Sequence, residues 1–591
     1  MNRVSLACFR RADACGRLSR ALSRLPLLLL VLCFCAQPAY PQGLPGRLTG
    51  TVLDETQAVI PDANVTLSNQ ATGAVLRSVS NVSGFFVFAA VPAATYTLTI
   101  EKAGFAKWQR TSIVLHPGDA INVPDIILKV GIVTTDVTVS AAPDVIIPVD
   151  SGEKSSVITA KQIQNLAILG RDAAELLKIL PGVVYTGEQT QGEVKMFGAV
   201  TGGIGSYSVA GMRTDSLDIV SDGANVLDPF CNCGSAVTPN VDMVQEFKVQ
   251  IANFSAENIK GPAVIQTVTK AGASEYHGEA YIAFRHNKFN SQDWIANRYG
   301  IAKPQDSYYY PGFNIGGPLT KSREKLFFFF GAEWMRQNVA LDPITGTTPT
   351  QDMRQGDFTD ADYIGALNGY DVNLVPMNDD EGAVEQGFNW SGQPLTPEML
   401  SGGVINPDAM DPGGKILLGL YPLPNLDPAT NNGFNHISSI VNPQHRNMQR
   451  LRIDYNISDS TKLYTVFNRE AEQEPSNYHL WWTFPTSAPY PTRAIGRNRS
   501  WSTASSLVNV LSPTATNEVV FSLTIFNQPA GFEDRSKVDR AALGYPYQGV
   551  FKTEGVVVPG ISDWGGGVTD MIMPGGFDPE LYRNMTLISA A

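Results

Sequence analysis

Six histidines, His116, His277, His286, His436, His445 and His479, are the side chains of this chain best suited to proton or metal chemistry near neutral pH. None stands in an HExxH or HxxE arrangement, so the spacing offers no zinc-peptidase helix. Gly202, Gly203 and Gly205 form a glycine-rich run, but neither the lysine nor the Ser/Thr of a phosphate-binding loop follows it. Asp379, Asp380 and Glu381 could hold calcium by their charge. Their spacing is not that of a calcium loop, and the cluster reads as a solvated acidic tip. What remains is charge laid out along a wall. Arg450, Arg452 and Asp454 face one way while Leu451, Ile453 and Tyr455 face the other, a period of two. That arrangement suits contact with a polar, wet interior and not bond-making. No catalytic residue, cofactor or metal site is expected.

Charges in that pattern need a strand with lipid on one side and water on the other. From Glu275 onward Tyr276, Gly278, Ala280, Ile282 and Phe284 share an apolar face, and His277, Glu279, Tyr281, Ala283 and Arg285 share a mixed one. Further strands are expected near 309–317, 325–337, 447–457, 461–471, 500–510 and 517–527, with short turns at Pro318–Glu324, Ile457–Ser460 and Leu511–Thr516. In the last of these strands Val519, Phe521, Leu523 and Ile525 oppose Val520, Ser522 and Thr524. Tyr308 to Tyr310, Phe327 to Phe330, Trp481 and Trp482 read as interfacial girdle aromatics. The third and fourth strands are separated by roughly a hundred residues, far more than a structureless loop spans, so a folded or functional excursion is expected there.

The N-terminus fixes the compartment. Arg10, Arg11, Arg17, Arg20 and Arg24 precede the apolar run Leu25 to Ala36, with Asp13 the sole acid among them. Residues 1–41 therefore read as a secretory signal peptide, cleaved between Cys35 and Gln42; a lipoprotein anchor on Cys33 or Cys35 is the alternative. The run is too short for a membrane-spanning helix, which needs about 20 apolar residues. Composition agrees with an exported β protein: Gly 53, Tyr 20 and Phe 27 accompany 17% charged residues, and the net charge of −12 argues against nucleic-acid partners. Beyond the leader only Cys231 and Cys233 remain, too few for a disulfide framework. They stay open between a small strained ring and two thiols.

The texture of the chain changes twice. Across residues 46–130 short alternating runs are punctuated by turns at Pro61-Asp62, Asn81 to Gly84 and Pro117-Gly118, as in a small β-sandwich. Residues 133–148 form a linker containing the extended run VTTDVTVS. In residues 151–270, Thr159 and Gln162 have capping-box spacing, and a second helix places Ala173, Leu176, Leu177 and Leu180 on one stripe before Pro181-Gly182. Residues 271–591 carry the strand rhythm described above.

The phrases QEFKV, NFSAE, VTKAG and EYHGEAY across residues 244–281 resemble the plug-to-barrel junction of Oar-like TonB-dependent outer-membrane receptors. GTVLD, PDANVTL and SGFFVFAAVPAATYTLTIEKAGF resemble the carboxypeptidase-regulatory-like domain that often precedes the plug in that family. VITAKQIQNL, GRDAAELLKILPGVV and VAGMRTDSLDIVSDGANV resemble its plug, and GTTPTQDMRQGDFT and GKILLGLYPLPN its loop phrases. The resemblance implies a mainly β protein: an N-terminal transthyretin-like sandwich in the periplasm, an α+β plug and a partial antiparallel transmembrane β-barrel in the outer membrane. It implies that Asp136, Val137, Thr138, Val139 and Ser140 are a TonB box, the coupling segment for a TonB-type energy-transducing protein of the inner membrane; the other reading makes them the last strand of the sandwich. It further implies a plug–barrel contact near Arg213 and the turn Asp222-Gly223, with Arg450, Arg452 and Asp454 lining the lumen. The partners implied are outer-membrane lipid and an unidentified scarce solute, a siderophore-like chelate, oligosaccharide or peptide, with no nucleic acid. Family barrels close with about 22 strands, whereas seven are legible here and LISAA lacks a terminal aromatic, so the expectation is the N-terminal portion of a longer receptor. The alternative from another class is a cell-surface adhesion or carbohydrate-binding protein that uses the sandwich.

Overall fold

A computed structural model describes residues 46–124, 126–131, 137–139, 154–166, 168, 171–185, 207–213, 217–227, 235–238, 240–252, 263–292, 294, 303, 305–340, 343–359, 400–401, 404–405, 410–438, 441–458, 460–477, 488–512, 515–527, 529–547, 557–560 and 586–590. The leader, Gly202 to Gly205, Cys231 and Cys233, Asp379 to Glu381, Trp481 and Trp482 lie outside them. The chain is mainly β.

The first body is a sandwich. β1 (Gly46–Thr51), β2 (Asn64–Asn69), β3 (Val75–Val79), β4 (Phe85–Val91), β5 (Ala94–Glu101), β6 (Trp108–Leu115), β7 (Ala120–Val123) and β8 (Val137–Val139) form two sheets, ordered β4-β1-β7 and β8-β6-β5-β2-β3. Alternation explains the packing: Leu67, Leu98, Ile100 and Trp108 from one sheet meet Leu48, Phe86 and Ile121 from the other, all nearly inaccessible to solvent. Burying each such side chain contributes roughly 1.5–3 kcal/mol.

The second body comprises the residues expected to form the plug. Its sheet runs β9-β12-β13-β10-β11, from β9 (Lys154–Thr159), β10 (Leu217–Ser221), β11 (Ala224–Asn225), β12 (Val244–Ala252) and β13 (Ala263–Thr269). The capping box forms, with Thr159 Oγ1 accepting from the Gln162 amide and Gln162 Oε1 accepting from the Thr159 amide, and it starts α1 (Ala160–Asn165). The expected second helix is a 3₁₀ segment, Ala173–Ile179, capped by Asp172. Ala173, Leu176 and Leu177 are buried as the stripe requires, but the tighter winding leaves Leu180 at its end only partly covered.

The third body is one antiparallel sheet in the order β14 (His277–His286), β15 (Ser307–Pro318), β16 (Leu326–Ala340), β17 (Val441–Asn456), β18 (Thr461–Ser476), β19 (Ala494–Ser512), β20 (Ala515–Asn527) and β21 (Thr586–Ala590). All seven expected strands are present and several are longer. β21 has no counterpart among the expected strands; it pairs with β20 from Leu523↔Ala590 to Asn527↔Thr586. Outward residues such as Ile282, Phe284, Val519 and Phe521 are exposed, as lipid-facing positions are, while Val520, Ser522 and Thr524 are buried on the inner face. Four of the seven expected girdle aromatics among the described residues face the other way. Tyr308, Tyr310, Phe327 and Phe329 are buried, because consecutive residues of a strand point to opposite faces and a run of aromatics cannot all reach one lipid interface. Among the described residues, the long excursion after β16 contains α2 (Pro412–Leu420), capped by Asp411. Tyr421 packs beside it with Tyr490, Phe532 and Val558, a small hydrophobic core of its own.

Candidate functional site

The inner face of the sheet is where the expected charges sit, and the plug is what they touch. Arg450 and Arg452 are buried. Arg450 donates to Thr238 O at 2.6 Å, and Arg452 donates to Thr269 O at 2.9 Å, so both wall arginines hold plug carbonyls. Asp454 sits beside Arg452 at 2.8 Å, and the Arg452 guanidinium also stacks 5.1 Å from the Tyr464 ring. Asp222 turns the chain in the left-handed region (φ 53°), and Gly223 follows at φ 91°. The Asp222 carboxylate accepts from the Thr269 amide and hydroxyl, both at 2.7 Å. Its carbonyl accepts a longer bond, 3.4 Å, from the Tyr464 hydroxyl of the wall. Arg213 is exposed.

A second cluster escaped the sequence reading. Glu333, on β16, is 0% exposed. It accepts from Arg171 Nε at 2.8 Å, Asn240 Nδ2 at 2.8 Å and the Tyr281 hydroxyl at 3.0 Å. Arg171, itself in the left-handed region, also pairs with Asp242 and lies 4.7 Å over the Tyr281 ring. Beside it Arg446 binds Glu472 at 2.8 Å and the Thr238 hydroxyl at 2.9 Å, and that same hydroxyl donates to Glu470. Plug and wall are thus joined by the ion pair Arg171–Glu333 and by hydrogen bonds from Thr238 to Arg446 and Glu470, while Arg446–Glu472 lies within the wall and leaves Glu472 Oε1 without a donor. A buried ion pair needs excellent geometry to offset its desolvation. The signal for Glu333 was available as a charge on the inward register of a strand, alternating with outward residues.

Where the plug passes into the wall, Gly272 lies against β16. A Cβ there would stand 2.4 Å from Phe328 O and 2.8 Å from Phe328 N, both rigid backbone atoms. Gly272→Ala is therefore expected to push the junction off the wall and destabilise it by about 1–3 kcal/mol. A proteolysis series across residues 270–274 checks this, and cleavage no faster than in the parent chain would refute it.

Val137–Val139 pairs in parallel with Trp108–Arg110 and forms the edge of the five-stranded sandwich sheet; Asp136 and Ser140 lie outside the described residues. A cavity of about 530 Å³ lies between one part of the sandwich and the plug and wall, lined by Thr72, Pro92, Lys270, His277, Asp454 and Lys462 among others. Burial holds the Lys270 ammonium below its ordinary range, against the pull of Asp242 and Glu279. Among the described residues no group of three or more His, Cys, Asp or Glu side chains is placed to hold a metal ion.

Residues 268–587 match the family model described as outer membrane beta barrel domain, and residues 47–129 match that described as carboxypeptidase regulatory-like domain. Among solved structures, the outer membrane transporter YddB from Escherichia coli is similar at TM-score 0.38 and 9% identity, over 64% of this chain and 40% of that one. A mutant of the ferric enterobactin receptor PfeA from Pseudomonas aeruginosa, in complex with enterobactin, gives 0.34 and 12%, over 63% and 41%. The siderophore receptor PirA from Acinetobacter baumannii gives 0.26 and 12%, over 64% and 54%. The chain spans about two-fifths of the length of the first two structures. No curated protein matches it.

Proposed function

This chain belongs to the outer membrane beta barrel domain family, and from that premise we propose that it is a TonB-dependent outer-membrane receptor. In this reading the sandwich lies in the periplasm, a scarce solute binds from outside, and pulling by a TonB-type protein shifts the plug. The observation that carries it is the plug sheet held against the charged inner face of a membrane sheet by Arg171–Glu333 and by Arg450 and Arg452. A plug fixed by hydrogen-bonded charge blocks passage yet can re-form its contacts when shifted, which a continuous apolar interface does not allow as readily. The solute is a siderophore-like chelate, an oligosaccharide or a peptide.

The coupling segment in this reading is Asp136 to Ser140. Its described part, β8, ends a sheet, and an edge strand offers backbone groups to which a partner strand adds. Val137→Pro removes one backbone N–H from that edge strand, a donor that strand addition uses. Affinity for the isolated periplasmic domain of the TonB-type protein, measured by titration calorimetry, is expected to fall at least about tenfold, the equivalent of 1.4 kcal/mol. An unchanged affinity would place coupling elsewhere and leave β8 as a strand of the sandwich alone.

A further inference from the structure

One face of plug strand β12 is polar and yet buried. Phe247 and Val249 point into the plug core, while Glu246, Lys248 and Gln250 take the opposite face, and all five are less than a tenth exposed. The N-terminal sandwich is what covers that face. Its turn after β6 lies directly on it: His116 Nδ1 is 2.6 Å from Glu246 Oε2, and Lys248 Nζ donates to Pro117 O at 2.6 Å and to Asp119 Oδ1 at 3.1 Å. Asp119 Oδ2 also accepts from the His116 amide at 3.0 Å, which holds the turn in shape. A smaller tether joins Ala71 O to the Ser274 amide at 3.0 Å.

Interfaces that never open are typically apolar. This one is charged, and Glu246 Oε1 and Gln266 Oε1 are buried in it without a protein donor. Water would satisfy those oxygens, and the ion pairs recover their hydration on separation, so the net cost of opening is small. The plug's own core lies on the other face of β12 and does not depend on the sandwich.

We propose that the sandwich is a releasable latch on the plug, clamping β12 through the His116–Glu246 and Asp119–Lys248 pairs and undocking as a body while the plug core stays folded. Only the purpose of undocking, freeing β12 for a shift of the plug, rests on the receptor reading. The groups facing His116 are Glu246, Asp119 and Lys248. Hydrogen bonding to Glu246 raises the His116 pKa above its ordinary 6.5, against the opposing effect of burial. A raised pKa means that the docked state holds the proton more tightly. The latch is therefore at full strength below 6.5 and weakens as pH rises through the raised value. Above that, a neutral imidazole protonated at Nδ1 keeps the hydrogen bond without its charge.

The test uses the whole chain in outer-membrane extracts. A water-soluble acylating reagent is applied, and modification of Lys248 is read by mass spectrometry relative to the exposed Lys321. Normalised labelling is expected to rise about tenfold between about pH 6 and about pH 8.5. The double variant His116→Gln, Asp119→Asn should label fast at both pH values. Amide exchange at Phe247 and Val249 should stay slow throughout, which separates undocking from unfolding. Lys248 as protected in the variant as in the parent chain would overturn the latch, and so would loss of Phe247 and Val249 protection together with Lys248. Because the readout is docking and not uptake, failure here leaves the receptor reading standing, and failure of coupling at Val137 leaves the latch standing.

Discussion

Arg171→Met is expected to weaken the plug's hold on the barrel wall by about 3–5 kcal/mol, the usual cost of removing one partner from a buried ion pair. The reason is Glu333. With no solvent access, it would keep only Asn240 and the Tyr281 hydroxyl as donors, and its charge would be left without a counter-charge in a site of low polarity. Methionine preserves most of the side-chain volume, so the loss measures charge and not packing. Amide exchange in β10 and β13, whose plug sheet the Arg171 cluster anchors, reads the change. Adding Glu333→Gln should return much of the stability, since a neutral amide needs no counter-charge and still accepts from Asn240. If the single and double variants are equally destabilised, the cluster acts through packing and the account of the plug as held by charge is wrong.

Phe247→Ala is expected to cost about 3–5 kcal/mol of plug stability through the cavity it leaves. Phe247 is 0% exposed and packs among Ile158, Ile163, Leu177 and Ile265, in a core that also includes Ala504 and Phe526 of the wall. Close-packed surroundings on a sheet relax little, which places the cost in the upper part of the range for large-to-small changes. The sandwich core of Leu48, Leu98 and Trp108 shares no residue with it. Denaturant melting should thus show the plug transition moved to lower concentration with the sandwich transition unmoved. A sandwich that melts together with the damaged plug would show that the two cores form one cooperative unit, contrary to a releasable latch.

Much of the architecture was legible in the chain because its information is local. The Thr159–Gln162 capping box lies within one helical turn, and the alternation of Arg450, Arg452 and Asp454 against Leu451, Ile453 and Tyr455 assigns faces from the pleat alone. The same rule, applied more strictly, would have turned Tyr308, Tyr310, Phe327 and Phe329 inward from the start. The match of residues 268–587 to the outer membrane beta barrel domain and of residues 47–129 to the carboxypeptidase regulatory-like domain agrees with what the phrases of the sequence resemble. Strand β21 was not legible, since five residues without clear alternation become a strand only where β20 offers an edge.

By itself the sequence determined which residues are inward, which are outward and which begin a helix, because those properties follow from periods of two and 3.6 residues and from backbone hydrogen bonds that neighbours satisfy. It could not determine which inward charge meets which. Arg171 and Glu333 are 162 positions apart, Thr238 and Arg450 are 212 apart, and His116 and Glu246 are 130 apart. Pairing at such separations depends on how the plug sits against the wall and how the sandwich sits against the plug. Those placements are settled by packing of whole sheets, and a carboxylate finds its guanidinium only after the sheets have met.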